Sequence, residues 1–266
     1  RRGLERLGEV VTVAHNPYFG FLVERFLLSL AIVTGEPDLQ ARVDELASRY
    51  ESTHADTTGT WAVQTGMLAR QRGGFAAVAP TLRSMVEDRP GIGPNWVAPY
   101  GLALVAAGDR SGAEAVLERL ELPTLDYFWL TTLQTVAELA VALGDERWQA
   151  RCVELLTPFR TQLGVTASGS LCFGLVATTL GELALAQGRH DDAVDLLTDA
   201  ASRSAGMGAA FESVRARRLL AAALRARGED DAADALVAEA AADAADRGFE
   251  GEGALLAAMA DRSVPA

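Results

Sequence analysis

The sequence predicts an all-α fold of about six helix–turn–helix pairs, and three observations carry that prediction. A glycine recurs ahead of each new helix at Gly35, Gly73, Gly108, Gly144, Gly188 and Gly228, with gaps of 38, 35, 36, 44 and 40 residues. An interval of about 34 to 45 residues is the size of one helical hairpin. Apolar residues recur at helical spacing almost throughout, and no stretch sustains the period-two alternation of a strand.

The elements follow in order. A first helix is predicted over residues 3–13, broken by Asn16-Pro17. A strongly apolar helix over 18–34 ends at Gly35 and Pro37, and Asp38 is a candidate N-cap for its partner, which runs to residue 52. The next pair covers 58–72 and 75–87, and the run from Arg89 to Pro94 carries a firm loop signal. Pairs over 96–107 with 112–120, and 127–143 with 147–162, come next. A small-residue loop over 164–170 explains the longest gap. Helices over 171–187, 192–204, 209–227 and 231–247 complete the array, and a short helix over 253–260 caps it. No domain boundary is visible, so residues 1–266 read as one elongated domain with contacts between neighbours only.

Each repeated residue has a physical task. In the clearest unit Gly181 is followed by Gly188, Ala193 and Ala200; the next places Gly228, Ala233 and Ala240 at the same offsets, and an earlier one Gly101, Gly108 and Ala113. The first glycine lets two helices approach. The second ends a helix, because glycine tolerates the left-handed cap conformation. The alanine sits where a larger side chain would push the pair apart.

Composition removes several functions. All 24 basic residues are arginine, so there is no phosphate-loop lysine, Schiff-base lysine or lysine base. The net charge of −12 argues against a nucleic-acid surface, since such surfaces bind largely through basic contacts to phosphate. Cys152 and Cys172 are too few for a disulfide framework and lack zinc-ligand spacing; they read as small buried hydrophobes in a reducing cytoplasm. No run approaches 18 uninterrupted apolar residues, so no membrane span is expected. The first residue is Arg1 rather than methionine, so the start reads as cut from a longer protein or processed, and no signal-peptide pattern is present. No metal or cofactor motif is present: His15, His54 and His190 are isolated, and Gly91-Ile92-Gly93 lacks the strand and third glycine of a dinucleotide loop. The acid pairs Asp191-Asp192 and Asp230-Asp231 follow helix-ending glycines and read as N-caps, worth about 0.5–2 kcal/mol each.

The small-residue spacings resemble the tetratricopeptide repeat, which implies a right-handed superhelix whose first helices line a concave groove. The last third sharpens the likeness. It reads Leu180-Gly181-Glu182-Leu183-Ala184-Leu185-Ala186-Gln187-Gly188, then Gly206-Met207-Gly208-Ala209, then Arg217-Arg218-Leu219-Leu220-Ala221 ahead of Arg225-Ala226-Arg227-Gly228. Ala137-Glu138-Leu139-Ala140 with Leu143-Gly144-Asp145 fits the same pattern. This resembles the C-terminal repeat region of large bacterial signal-transduction ATPases, including LuxR-type and SARP-type transcriptional regulators and cyclase–ATPase fusions. The resemblance implies a non-enzymatic sensor or docking arm attached to an upstream ATPase or regulatory domain. It would bind a protein, a peptide or a small anionic effector.

Two groups are candidate groove residues. On the helix over 209–227, Arg215, Arg218 and Arg225 fall within about 80° of one another, opposite Leu219, Leu220, Ala223 and Leu224, which form the buried side. The resemblance puts that stripe in the groove, where guanidinium groups suit carboxylates or phosphates. The expectation lapses if each arginine is already held by an acid of the array. Aromatic residues form the second group: Trp96 and Tyr100, and, one repeat later, Trp129 within Tyr127-Phe128-Trp129. Two rival readings are a helical-toroid hydrolase or transferase using groove acids, and a structural oligomerisation arm. An enzyme requires carboxylates converging on a closed pocket.

Overall fold

In a computed structural model, residues 17–52, 57–88, 94–121, 125–166 and 169–261 are described, together with Arg6. The fold is all-α: 79% of these residues are helical and 4% are strand. The pairs are α1 (Pro17–Thr34) with α2 (Leu39–Tyr50), α3 (Thr57–Gln71) with α4 (Ala79–Glu87), and α5 (Pro94–Ala106) with α6 (Arg110–Glu118). Then come α7 (Trp129–Leu143) with α8 (Glu146–Leu156), α9 (Val176–Ala186) with α10 (His190–Met207), and α11 (Ala210–Ala226) with α12 (Asp230–Asp246). Helix α13 (Glu250–Ala260) follows unpaired. Short 3-10 turns at Phe75–Val78 and Thr157–Phe159 lead into α4 and out of α8. The helix expected over residues 3–13 and most of the loop before Pro94 lie outside the described residues.

The punctuation glycines behave as their chemistry requires. All six have positive φ, between 71° and 81°, as do Gly208 and Gly248 at the ends of α10 and α12. A Cβ on Gly101 would lie 2.6 Å from a Leu139 methyl, and one on Gly181 would lie 2.5 Å from Leu197. Ala113, Ala193, Ala200, Ala233 and Ala240 are all fully buried at the crossings.

Capping differs from the expectation. Asp38 sits in the left-handed region at φ 53° and makes no side-chain cap bond. Asp191-Asp192 and Asp230-Asp231 occupy first helical turns, after Arg189 and Glu229 at the N-cap positions, and make no cap hydrogen bond. They favour the helix dipole, and Asp192 also pairs with Arg189 at 2.6 Å and Asp191 with Arg227 at 3.4 Å. The true side-chain caps are Asp109, which accepts from Gly112 N at 2.9 Å, and Asp145, which accepts from Trp148 N at 2.8 Å.

The strand-free expectation is corrected between α8 and α9. A two-stranded antiparallel hairpin forms there from β1 (Leu163–Thr166) and β2 (Leu171–Leu175). The sequence reading continues the helix from residue 171, but Gly174 has φ 113° and faces the Glu212 carboxylate, so helix begins only at Val176. Leu171 and Leu175 are buried, and a bulge lies between Gly164 and Val165.

Contacts pass beyond neighbours. The first helices of successive pairs touch, α5 on α7, α7 on α9 and α9 on α11; α11 then packs on α1, and α13 on α3. Gly251 of α13 meets the turn after α3, where a Cβ would lie 2.5 Å from Arg70 O and 3.1 Å from Gly73 N. Arg247 donates to Thr34 O at 2.9 Å. The array therefore closes on itself. The hairpin fills its interior, with β1 against α7 and β2 against α1, α3, α9 and α10.

Helix α1 is long and apolar enough to cross a membrane by length and composition, with mean hydropathy 1.4, although Glu24 and Arg25 interrupt its apolar run. Within this fold it buries Phe21, Leu28, Ile32 and the charged Arg25.

Candidate functional site

Helix α11 points its arginines inward, as the helical geometry requires, but none is free. Arg215 is 3% exposed, and its Nη2 donates to Glu138 on α7 at 2.7 Å and to Glu182 on α9 at 2.6 Å. Arg218 Nε donates to buried Glu252 on α13 at 2.5 Å. Arg225 donates to Asp234 and to Met259 O, both at 2.6 Å. Acids from α7, α9, α12 and α13 cover the stripe, so the open anion-binding groove expected for Arg215, Arg218 and Arg225 is corrected: each holds an acid of the same array.

Around Arg215 the pairs form one buried network. Arg70 of α3 joins it through Glu138 at 2.8 Å, so α3, α7, α9 and α11 meet in three ion pairs. Burial opposes the Glu138 charge, yet the Arg215 and Arg70 guanidinium groups override it and hold the carboxyl below its ordinary value. Burial also opposes the Arg215 charge, but Glu138 and Glu182 raise its affinity for the proton further. Glu212 differs. Its carboxylate accepts from Leu175 N at 3.0 Å and Thr178 Oγ1 at 2.5 Å, and burial pushes its pKa up despite the nearby Arg215.

A distinct cavity of about 120 Å3 lies between α3, α5 and α7, beside the hairpin. Its apolar wall is Val63, Trp96, Pro99, Tyr127, Phe128 and Phe173. Its polar wall is Asn95, Thr131, Thr132, Thr135, Thr166 and Ser170, with Gly59 at one edge. No charged side chain among the described residues lines it. The carboxylates of the network stand apart from this wall, although a second, smaller cavity behind Val63, Trp96, Pro99 and Phe173 reaches Arg70.

Of the aromatic candidates, only Trp96 borders the cavity. Tyr100 packs in the cluster of Ala62, Leu82 and Met85. Trp129 packs edge-on against Phe159, 5.2 Å between ring centres. Trp129 lies two residues before Thr131, about 200° round the helix, and so serves the α7–α8 core. Tyr127 and Phe128 do reach the cavity, from the turn before α7. The threonines escaped the sequence reading. Their signal was Thr131-Thr132 with Thr135 one turn on, three β-branched hydroxyls opening an otherwise apolar helix.

Comparison with known proteins yields no family model, no curated protein and no solved structure that matches this chain.

Proposed function

We propose that the chain is a non-catalytic binding module of tetratricopeptide-like repeats, the sensor or docking arm of a larger signalling or transcriptional regulator. Its ligand enters the cavity between α3, α5 and α7, and occupancy passes to a linked regulatory or ATPase part. The observation that carries this reading is that cavity and charge network share two helices. Val63 and Arg70 lie on α3; Thr131, Thr135 and Glu138 lie on α7. A shift of either helix on filling the cavity acts directly on the Arg70–Glu138 pair. Against catalysis stand the occupied arginines and a cavity wall that offers no general acid, general base or activated nucleophile among the described residues.

The test is a thermal-shift screen of small molecules against the chain and its Val63→Trp variant, which fills the cavity. A binder present at 100 times its Kd adds about 2.7 kcal/mol of stability. Compounds that raise the wild-type melting temperature but not the variant's support the reading. A screen in which no compound separates the two proteins overturns it, as does turnover of ATP or an ester that co-purifies with the chain.

A further inference from the structure

The geometry points to an uncharged aromatic compound bearing an O–H or N–H donor as the ligand of the α3–α5–α7 cavity; this rests on the binding-module reading and names its ligand class.

Size comes first. A cavity of about 120 Å3 is close to the roughly 150 Å3 cavity that accepts benzene in an engineered core, so the space suits one ring. The ring has partners of its own kind in Trp96, Phe128 and Phe173, with Tyr127 at the rim.

Polarity comes second. Thr131 Oγ1 donates to Phe128 O at 2.9 Å, Thr135 Oγ1 to Thr131 O at 2.7 Å, and Thr166 Oγ1 to Leu171 O at 3.2 Å. Thr132 Oγ1 lies 3.4 Å from Asn95 Oδ1, to which it donates. Four buried hydroxyls thus commit their hydrogens to protein acceptors and keep only lone pairs. Ser170 shares a hydrogen with Thr60 at 3.4 Å. A ligand that donates meets unfilled acceptors. A carboxylate or phosphate meets those same lone pairs with no cation in the wall, inside a chain of net charge −12. The donors left are the Asn95 amide, the Trp96 indole N–H, the rim hydroxyl of Tyr127 and, when Thr60 donates in their pair, the Ser170 hydroxyl; all are neutral and accommodate at most a neutral acceptor on the ligand.

The test compares four probes of similar size by isothermal titration: phenol, indole, toluene and benzoate. Phenol and indole should bind about tenfold more tightly than toluene, the factor expected for one satisfied hydrogen bond, and benzoate should not bind. Thr131→Val, which keeps the side-chain shape but removes the oxygen, should bring phenol down toward toluene while leaving toluene unchanged. Equal binding of phenol and toluene overturns the donor requirement, and preferred binding of benzoate overturns the charge argument; in both cases the cavity stands as a binding site. Failure of all four probes, with a native circular dichroism spectrum, overturns the site itself.

Discussion

Gly251 at the start of α13 lies against Gly73 in the turn after α3; Gly251 has no room for a side chain there, and Gly73 is held to glycine by its φ of 72°. A Cβ on Gly251 would come within 2.5 Å of Arg70 O, a backbone atom that cannot swing away. This contact joins the last helix to the third and completes the ring.

We therefore expect Gly251→Ala to destabilise the chain by about 1–3 kcal/mol through overpacking. Gly253→Ala, two residues on, meets nothing within 4 Å and should lie within about 0.5 kcal/mol of the parent. Urea melts of the two variants check this, and equal midpoints would remove the closure contact from the account.

Ala193 is fully buried at the α9–α10 crossing. Ala193→Leu should cost roughly 1–3 kcal/mol by overpacking the hairpin. An unchanged melting temperature would mean that the repeat register has been misread.

Removing Arg215 should do more. Its side chain is 4% exposed and answers Glu138 and Glu182 together, so Arg215→Met takes the cation from Glu182 and leaves Glu138 paired only with Arg70 among the described residues. The expected loss is about 3–5 kcal/mol. Arg83→Gln, which breaks an exposed pair with Glu87 within α4, serves as the control and should leave the melt unchanged.

The buried Glu138 and Glu212 should shape the pH profile in opposite senses. The folded pKa of Glu138 lies below its unfolded value, so its stabilising contribution is present above about pH 4.5 and is lost as pH falls through the folded value. The folded pKa of Glu212 is raised, so its contribution is complete below about pH 4.5 and is lost as pH rises through the folded value. Melting temperatures taken across that range should show Glu138→Gln with a shallower acid limb and Glu212→Gln with a shallower decline on the other side. Variants that keep the parent profile would count against the network as drawn.

Cysteine reactivity offers a direct probe of packing. Burial pushes the Cys152 thiol up to about 12 and raises Cys172 as well. Neither should react with a thiol reagent at pH 8 in the folded chain, and both should react in denaturant. Rapid labelling of Cys152 under native conditions would contradict its place between α7 and α8.

The repeat was legible because its punctuation is local: each helix-ending glycine needs only its own positive φ. Gly208 and Gly248 do the same work but close the second helices of their pairs, outside the hairpin-sized glycine interval, so only the structure revealed their role. The hairpin was hidden because Leu171, Phe173 and Leu175 open an apolar run that continues into α9, and only the backbone of Gly174 separates strand from helix. Closure was illegible for another reason. It depends on how small rotations add up over many helices, and on residues as distant as Gly35 and Phe249 meeting. In the site, Trp96 was visible as an aromatic in the first helix of a pair. The threonines that set its polarity look, in sequence, like ordinary helix-start residues.

A linear array can melt from its ends, each repeat leaning on the next, and its stability is close to a sum over adjacent units. Once α11 rests on α1 and α13 on α3, neither α1 nor α13 is a free end among the described helices. Arg247 and Phe249, just ahead of α13, meet Thr34 and Gly35 at the end of α1, so losing either end exposes the other, and the described residues should unfold in a single cooperative step. Its slowest folding event is then the joining of segments far apart in sequence, which raises contact order well above that of an open helical array.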